Sequence, residues 1–313
     1  MPTQMLPNNG HGEFMILNGA LVPFADARIH CLAPAVTYAA NVFEGLRAYW
    51  NERQEQLYVF RLDDHLRRLD YSMKVMRFQS AYEPATLRAA VLRLLQANNV
   101  REGVHMRVHA YVDVDGMMTA TSPIGMFVSM VARPISPQAK QGIHAAVSSW
   151  TRISDNSTSP RVKSTANYVN GRLASLQAKI DGYDNAILLT GGGQVAEGPG
   201  ACLFIVREGS LVTPDVTQDI LESITRATII QGAEEWLNLR VTERRVARTE
   251  LYGADEMFFC GTGQEIVPVV SVDRHPVGTG NVGPLTATLQ QRYFALVRGE
   301  TEEHKDWLTP VYE

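Results

Sequence analysis

The stretch Lys163-Ser164-Thr165-Ala166-Asn167-Tyr168 opens a segment in which large apolar residues recur at helical spacing. This pattern predicts an amphipathic helix with one buried apolar stripe. The stripe consists of Val169, Leu173, Leu176 and Ile180. Lys163 then stands where a packed core meets a loop, and a lysine in such a place can lose its proton and attack a carbonyl group. Taken alone, however, such a lysine is more often a solvated residue before a helix.

The composition is typical of a globular protein and argues against two classes of binding partner. Its 313 residues suggest one large or two ordinary domains, and 45% hydrophobic with 20% charged residues is typical of a soluble protein. A formal charge of -4 argues against nucleic acid or an anionic membrane as partner. The polar residues 1–12 contain no apolar signal segment, and no apolar run is long enough for a membrane span. We therefore expect a cytoplasmic protein.

The cysteine content argues against a metal site. Cys31, Cys202 and Cys260 are too few and too scattered for a zinc site or a disulfide framework. Each lies among apolar neighbours, so we predict that all three are reduced core residues.

The order of predicted elements gives an α/β protein, of α+β type in detail, with two domains. The first half mixes antiparallel strands with two helices, which we place at 62–76 and 84–97. Pro134-Ile135-Ser136-Pro137 marks a break. We predict a small N-terminal domain over 1–132, a linker over 133–141 and a larger C-terminal domain over 142–313.

One motif in the second half is misleading. Gly278-Thr279-Gly280-Asn281-Val282-Gly283 fits the dinucleotide fingerprint G-x-G-x-x-G. That fingerprint needs a strand before it, a helix after it and a second strand with an acidic residue. A helix follows here, but we expect no second strand that closes the unit. We interpret these glycines as loop residues, which disfavours a nicotinamide oxidoreductase.

Four further segments have an ordinary structural explanation when each is taken singly. Glu197 fits a turn carboxylate, Thr225 a helix N-cap, Thr262 a loop residue and Arg68 a solvated helix arginine. Together with Lys163 they provide what pyridoxal 5′-phosphate (PLP) requires. That cofactor needs a lysine for its aldehyde, an acid beside its pyridine nitrogen, a donor near its phenolate and an anion site for its phosphate. A helix N-terminus and an arginine together make such an anion site.

With these motifs the chain resembles a known family. The segments are Lys163-Ser164-Thr165-Ala166-Asn167-Tyr168, Glu197-Gly198-Pro199-Gly200, Ile224-Thr225-Arg226, Gly261-Thr262, and the N-terminal signature Asn41-Val42-Phe43-Glu44-Gly45-Leu46-Arg47 with Phe60-Arg61-Leu62. They resemble the class IV aminotransferases, the fold-type IV enzymes that use PLP and share the fold of D-amino acid aminotransferase. The similarity is greatest to bacterial branched-chain amino acid aminotransferases.

The resemblance implies a role for each matching residue. Lys163 would form the internal aldimine and shuttle the proton between the substrate Cα and the cofactor. Glu197 would pair with the protonated pyridine nitrogen, and Tyr168 would hydrogen-bond the phenolate oxygen. Leu221 would pack on the ring face. The residues that would hold the phosphate are Arg68, Ile224, Thr225 and Thr262.

The resemblance also implies a substrate pocket. Its matching positions are Tyr38, Phe43, Gly45, Arg47, Arg107 and Thr262. Arg107 matches the arginine that helps to organise binding of the substrate carboxylate. The chain departs from the family at His105, where a tyrosine is usual, and at Gly263-Gln264, where small apolar residues are usual. His105 can donate a hydrogen bond, carry positive charge below neutral pH, reshape the pocket for another acceptor, or be a strand histidine without ligand contact.

The predicted function is ping-pong transamination from a hydrophobic, branched-chain L-amino acid to 2-oxoglutarate. A homodimer or larger homo-oligomer is implied, because active sites of the family borrow a loop from the neighbouring subunit. The alternative is an (R)-selective amine or D-amino acid transaminase, and the spacing Arg107-Val108-His109 resembles the carboxylate-binding pair of the latter. A lyase of the aminodeoxychorismate type fits the N-terminal signature less well. A non-catalytic binding protein would need neither Lys163 nor Glu197.

Overall fold

The computed structural model describes residues 6–80, 82–113 and 115–312, so the first five residues of the predicted N-terminal domain lie outside the described residues. The strands are β1 Phe14–Leu17, β2 Ala20–Pro23, β3 Asn41–Asn51, β4 Gln56–Phe60, β5 Val104–Val112, β6 Ile124–Ala132, β7 Ile143–Thr151, β8 Asn185–Leu189, β9 Cys202–Arg207, β10 Ser210–Pro214, β11 Val241–Arg244, β12 Glu256–Gly261, β13 Glu265–Val272, β14 His275–Pro276 and β15 Leu308–Pro310. The helices are α1 Pro7–Gly10, α2 Pro34–Thr37, α3 Leu62–Val75, α4 Pro84–Ala97, α5 Gln138–Gln141, α6 Asn167–Ile180, α7 Ile224–Leu237 and α8 Pro284–Val297.

The chain forms two compact units, and together they confirm the predicted α/β class. The first unit comprises Met1–Pro134, Val162–Ala166 and Ala295–Glu313, and the second Ile135–Arg161 and Asn167–Phe294. This division differs from the predicted domains at 162–166 and 295–313, which group with the first unit. The physical reason is backbone pairing: β15 pairs with β4, and an isolated bridge joins Ser164 to Val42 of β3.

The first unit contains a seven-stranded antiparallel sheet in the order β15-β4-β3-β5-β6-β1-β2. Alternate residues of a strand face opposite sides of a sheet. Val104, Met106 and Val108 of β5 therefore face the same hydrophobic core, which also contains Leu66 of α3 and Leu94 of α4. The intervening residues of β5 are polar, and they lie on the other face of the sheet.

The second unit contains a mixed sheet in the order β11-β10-β9-β12-β13-β7-β8, with β14 paired to β13. β7 pairs in parallel with β8 and β13, whereas β9, β12 and β13 form antiparallel pairs. The core of this unit includes Ile187, Leu203, Phe259 and Val269, each almost fully buried.

Helix α6 forms where the sequence predicts a helix, but its buried face is the opposite of the predicted one. The residues of the predicted buried stripe are 37% to 78% exposed within the chain: Val169, Leu173, Leu176 and Ile180. Small residues, among them Gly171, Ala174 and Ala178, face inward instead. A Cβ atom at Gly171 would lie 2.6 Å from the carbonyl oxygen of Pro199, so only a small residue fits against this loop. The predicted buried stripe is therefore wrong for the isolated chain.

The predicted burial of the cysteines is correct for two of the three. Cys202 and Cys260 are buried opposite each other on β9 and β12, whereas Cys31 is exposed. In the described part of the chain, every helix is too short or too polar to cross a membrane.

Candidate active site

The backbone around Lys163 is fixed at several points within the first unit. Its carbonyl oxygen accepts from the amide of Phe43 at 2.9 Å, and its own amide donates to the Ser72 hydroxyl at 3.2 Å. The Thr165 amide donates to the carbonyl oxygen of Asn41 at 3.3 Å. The segment therefore runs along the start of β3 and contacts α3 through Ser72.

The side chain of Lys163 is half-buried beside an aromatic ring. Its Nζ atom lies 5.0 Å from the centre of the Phe43 ring, a distance typical of a cation–π contact. The backbone bonds and this ring together define where the amine lies. We refer to Lys163, Phe43, Ser72 and Asn41 as the lysine cluster.

One face of the first sheet carries most of the predicted substrate residues. In the register of β3 and β5, Gly45 is opposite Arg107 and Arg47 is opposite His105. These residues lie on the face opposite the hydrophobic core, as does Phe43. Arg47 is buried and Arg107 exposed. Since two arginines accompany Lys163 in this unit, the local charge favours carboxylate groups.

His105 is uncharged near neutral pH. Burial lowers its pKa to about 3, and the positive charges of Arg107, Arg133, Arg47 and Lys163 act in the same direction. Its burial therefore argues against the alternative in which His105 adds positive charge below neutral pH. A Cβ atom at Gly45 would lie only 3.1 Å from the imidazole Nε2, so the glycine provides the space that the ring needs.

His109 packs as an aromatic residue. Its ring stacks on Phe127 at 4.2 Å and on Phe43 at 5.1 Å, and its Nδ1 lies 2.9 Å from the Asn41 side-chain oxygen. Burial lowers its pKa to about 3. A neutral imidazole between two phenyl rings is a poor partner for a carboxylate. This geometry argues against a carboxylate-binding pair of His109 with Arg107.

Two other predicted residues of the first unit have distinct surroundings. Tyr38 follows α2, outside the sheet, and is 54% exposed. The guanidinium of Arg68 is ion-paired with the buried Glu44, with Nε 2.7 Å from Oε1 and Nη2 2.8 Å from Oε2. Arg68 is therefore not a solvated helix residue. It lies one turn before Ser72 on α3, so the same stretch of helix carries Arg68 and the residue that holds the Lys163 amide.

In the second unit, Glu197 is a buried carboxylate with a buried partner. Oε1 lies 2.8 Å from Nη2 of Arg152, and the two side chains are 5% and 7% exposed. Oε2 accepts from the Leu221 amide at 3.3 Å. Arg152 also donates through Nε to the carbonyl oxygen of Asp219 at 3.2 Å. We refer to Glu197, Arg152 and Leu221 as the acid cluster.

Cys202 adds a neutral donor next to the acid cluster. Its sulfur lies 3.7 Å from Oε2 of Glu197. Burial raises the pKa of the Cys202 thiol to about 12, and the nearby Glu197 adds to this rise. The thiol therefore stays protonated, and its one weak donor has two acceptors in reach, the Leu221 carbonyl oxygen at 3.5 Å and the carboxylate.

The sequence does not identify Arg152 as the partner of Glu197. It follows the last residue of β7 in Trp150-Thr151-Arg152, which matches no motif. The general rule that a buried carboxylate needs a charged or hydrogen-bonding partner predicts that some partner exists. It does not say which of the many arginines is that partner.

Tyr168 and Gly261, which precedes the Thr262-Gly263 turn, lie against the loop that follows Glu197. The ring of Tyr168 approaches Gly200, where an added Cβ would lie 3.9 Å from it. An added Cβ at Gly261 would lie 3.2 Å from the Gly200 carbonyl oxygen, and Thr262 comes next in the chain. The structure thus brings two other predicted segments to the loop of the Glu197-Gly198-Pro199-Gly200 segment.

The N-terminus of α7 has the features of an anion site. The N-cap is Ser223, whose hydroxyl accepts from the Arg226 amide at 3.2 Å, so the interpretation of Thr225 as the N-cap is wrong. This cap leaves the amides of Ile224 and Thr225 as the other donors of the first turn. Thr225 is 2% exposed, and a buried helix N-terminus favours phosphate. Arg226 itself binds Glu243, on β11, at 2.6 Å.

The N-terminus of α8, which follows the G-x-G-x-x-G motif, binds a carboxylate of the protein itself. Glu256 accepts from the amides of Leu285 at 3.0 Å and Thr286 at 2.7 Å. A phosphate has no place at this helix end, which supports the interpretation of residues 278–283 as a loop.

Both units thus carry groups suited to an enzyme that holds a phosphorylated cofactor through a lysine. Residues 41–272 match the family model described as amino-transferase class IV. Because this match spans most of the chain, the protein belongs to the class IV aminotransferases, and its fold is the class IV fold that the resemblance implied.

Relatives of this family align with the chain over almost its whole length. A probable branched-chain-amino-acid aminotransferase of Aquifex aeolicus is 39% identical over 305 residues, which are 96% of this chain and 97% of the relative. The crystal structure of the branched-chain amino acid aminotransferase from Thermobaculum terrenum in its PLP form is 40% identical, with a TM-score of 0.92, covering 97% of this chain and 100% of that one. The T.th. branched-chain amino acid aminotransferase complexed with N-(5′-phosphopyridoxyl)-L-glutamate is 33% identical, with a TM-score of 0.91, covering 99% and 100%.

Proposed function

We propose that this aminotransferase uses PLP to move the amino group of a branched-chain L-amino acid to 2-oxoglutarate in a ping-pong reaction. The names of the relatives support the branched-chain donor, and the glutamate adduct of the T.th. enzyme supports the glutamate/2-oxoglutarate pair. The observation that carries the proposal is the lysine cluster, in which the backbone and the amine of Lys163 are fixed beside a cationic sheet face.

The residues present fit the cofactor by their chemistry. When bound, PLP supplies an aldehyde that condenses with amines and a ring that accepts the electron pair left on a deprotonated Cα. Lys163 would hold it covalently and move the proton. Glu197, kept in place by Arg152 and the Leu221 amide, would bind the ring nitrogen. Tyr168 would donate to the phenolate oxygen.

The phosphate and the ring face would be held by groups of several elements. The amides of Ile224 and Thr225 at the N-terminus of α7 are suited to an anion. Arg68 and Thr262 would add a guanidinium and a hydroxyl, and Leu221 would pack on the ring.

The substrate would bind at the cationic face of the first sheet. Arg47 and Arg107 would bind the carboxylate, and the ring of Phe43 offers an apolar surface to a hydrophobic side chain. His105, neutral in this environment, would act only as a hydrogen-bonding group. A pocket of this composition favours an amino acid that joins a carboxylate to an apolar side chain.

We further propose that the enzyme is a cytoplasmic homodimer or larger homo-oligomer. The exposed apolar residues of α6 support the assembly, because monomeric proteins seldom leave such a stripe uncovered. Small residues face inward on this helix and large ones outward, as expected when a second chain covers the outer face.

The proposal is tested by cofactor attachment and by donor specificity. We expect Lys163→Ala to lose the visible absorption band that borohydride abolishes, together with transamination. Lys179→Ala, at an exposed position of α6, should retain both and serves as the control. A panel of L-amino acids, D-amino acids and (R)-amines, each with 2-oxoglutarate or pyruvate, would identify the donor. Ordinary turnover by the Lys163 variant, or a preference for D-amino acids or (R)-amines, would contradict the proposal.

A further inference from the structure

A buried charged cluster lies between β3 and α3 in the first unit. Its centre is the carboxylate of Glu44, which is 0% exposed. Arg68 donates to it from Nε at 2.7 Å and from Nη2 at 2.8 Å. The Nδ1 atom of His65 lies 2.7 Å from the same carboxylate. We refer to these three residues as the Glu44 cluster.

Glu44 is ionised in this cluster at any physiological pH. Burial by itself would raise its pKa, but the charge and hydrogen bonds of Arg68 and His65 outweigh burial and lower the pKa to about 2. Burial also lowers the pKa of His65, which is therefore neutral near pH 7. Since a carboxylate only accepts hydrogen bonds, the imidazole proton must be on Nδ1.

The two hydrogen bonds of the ion pair fix the orientation of the Arg68 guanidinium. A guanidinium is a rigid plane, and Glu44 binds the edge formed by Nε and Nη2. The edge formed by the two Nη atoms is then directed away from the carboxylate. Because charge-assisted bonds to phosphate depend on this planar geometry, the direction of that edge decides what Arg68 can bind.

Arg68 lies on the same face of α3 as Ser72, which belongs to the lysine cluster. Arg68 and Ser72 are four residues apart on the helix, a spacing that puts them on the same face. Ser72 accepts the amide hydrogen of Lys163, so this face of α3 is the one that contacts the attachment lysine.

We propose that Glu44 is a positioning residue, which holds the guanidinium of Arg68 so that its Nη edge receives the phosphate of the cofactor. The inference rests on the proposed function, since it assumes PLP. Glu44 also has an opposing effect, because its negative charge repels a phosphate. Orientation outweighs repulsion here, since a buried guanidinium without its carboxylate would turn toward other acceptors.

The test compares PLP with pyridoxal, which lacks the phosphate. Apoprotein is titrated with each, and the visible band gives both dissociation constants. Glu44→Asp keeps the charge but withdraws the carboxylate, and Glu44→Gln removes the charge. We expect each variant to bind PLP about tenfold more weakly, the effect of losing one charge-assisted hydrogen bond. Their affinity for pyridoxal should change less than about twofold, because pyridoxal has no group for Arg68 to bind.

A matched control and an independent readout separate positioning from general damage. His65→Asn retains a donor to Glu44 and leaves the Arg68 ion pair in place, so its preference for PLP over pyridoxal should match the wild type. Thermal melting of each apoprotein shows whether it is folded. If Glu44→Gln does not fold, Glu44→Asp alone decides the question.

Three results would overturn the inference. Equal weakening of PLP and pyridoxal would mean that Glu44 only supports the fold. Tighter binding of PLP by Glu44→Gln would mean that charge repulsion dominates. An unchanged ratio in Glu44→Asp would mean that the direction of Arg68 is irrelevant. If the wild-type protein itself forms no visible band with PLP, the proposed function fails instead.

Discussion

Replacing Arg152 by methionine should destabilise the second unit strongly, because it leaves a buried carboxylate without its cation. The two side chains of the Arg152–Glu197 pair are 7% and 5% exposed, so water screens the lost partner poorly. Breaking a buried pair of this kind costs about 3–5 kcal/mol. The Leu221 amide still donates to Glu197 and the protonated Cys202 thiol stays beside it, so we expect about 3 kcal/mol, near the lower limit.

Thermal and urea unfolding of the apoprotein would measure this loss. For a unit of this size, about 3 kcal/mol corresponds to a Tm lower by roughly 6–12 °C. The double variant Arg152→Met with Glu197→Gln removes the charge that the single variant leaves uncompensated. We therefore expect the double variant to be more stable than the sum of the two single changes by at least about 2 kcal/mol.

The double-mutant cycle tests whether Arg152 compensates the buried charge of Glu197. If Arg152→Met lowers the free energy of unfolding by less than about 1 kcal/mol, the pair is screened like a surface salt bridge. If the two changes are additive, Arg152 stabilises the unit through packing or through its bond to the Asp219 carbonyl oxygen, and it does not hold the charge of Glu197.

Three more predictions concern the packing of Gly171, the stability of the protein at low pH and its oligomeric state. Gly171→Ala should lower the free energy of unfolding, measured by chemical denaturation, by about 1–3 kcal/mol, because its Cβ would lie 2.6 Å from the carbonyl oxygen of Pro199. Gln177→Ala, on the exposed side of α6, should lower it little. An equal loss in both variants would contradict the steric explanation. The lowered pKa of Glu44, about 2 against an ordinary 4.5, adds about 3 kcal/mol of stability that is present above pH 4.5 and lost as the pH falls toward 2. The Tm difference between wild type and Glu44→Gln should therefore shrink over that range, and a constant difference would argue against the ion pair. Leu173→Glu should lower the molar mass measured by light scattering without unfolding the chain, and an unchanged mass would mean that α6 is outside the interface.

The sequence predicts the ends of some elements closely, because their signals are local. Helix α4 begins at Pro84, since proline is favoured in the first turn, and ends before Asn98-Asn99, where Asn99 adopts a positive φ of 47°. The turn Asn18-Gly19 separates β1 from β2, as an asparagine followed by a glycine does in tight hairpins. Residues 210–214 and 241–244 form strands that were not predicted, because they are short and their pairing depends on β9 and on each other.

The site residues that belong to sequence motifs were predictable. The partners that reach them from distant parts of the chain were not. Lys163 and Glu197 are identified by motif, and their fixed backbone or buried surroundings fit that identification. The partner of Glu197 comes from 45 positions away along the chain (from 152 to 197), and the partner of Arg68, on helix α3, comes from strand β3. Such ion pairs compensate charges that become buried only when the chain folds. They therefore leave no local pattern in the sequence.

Helix α6 shows what periodicity can and cannot establish. Apolar residues at positions 169, 173, 176 and 180 correctly indicate a helix, since only that geometry aligns them. Periodicity does not say what covers the stripe. In this chain the core side of α6 lies so close to the loop at Pro199 that it excludes even a methyl group at Gly171, and the large residues are placed outside. An apolar stripe that the chain's own core does not cover costs free energy in water unless another surface buries it. The same spacing that fails to predict the core of the chain therefore supports the proposed homo-oligomer, in which a second copy would cover this stripe.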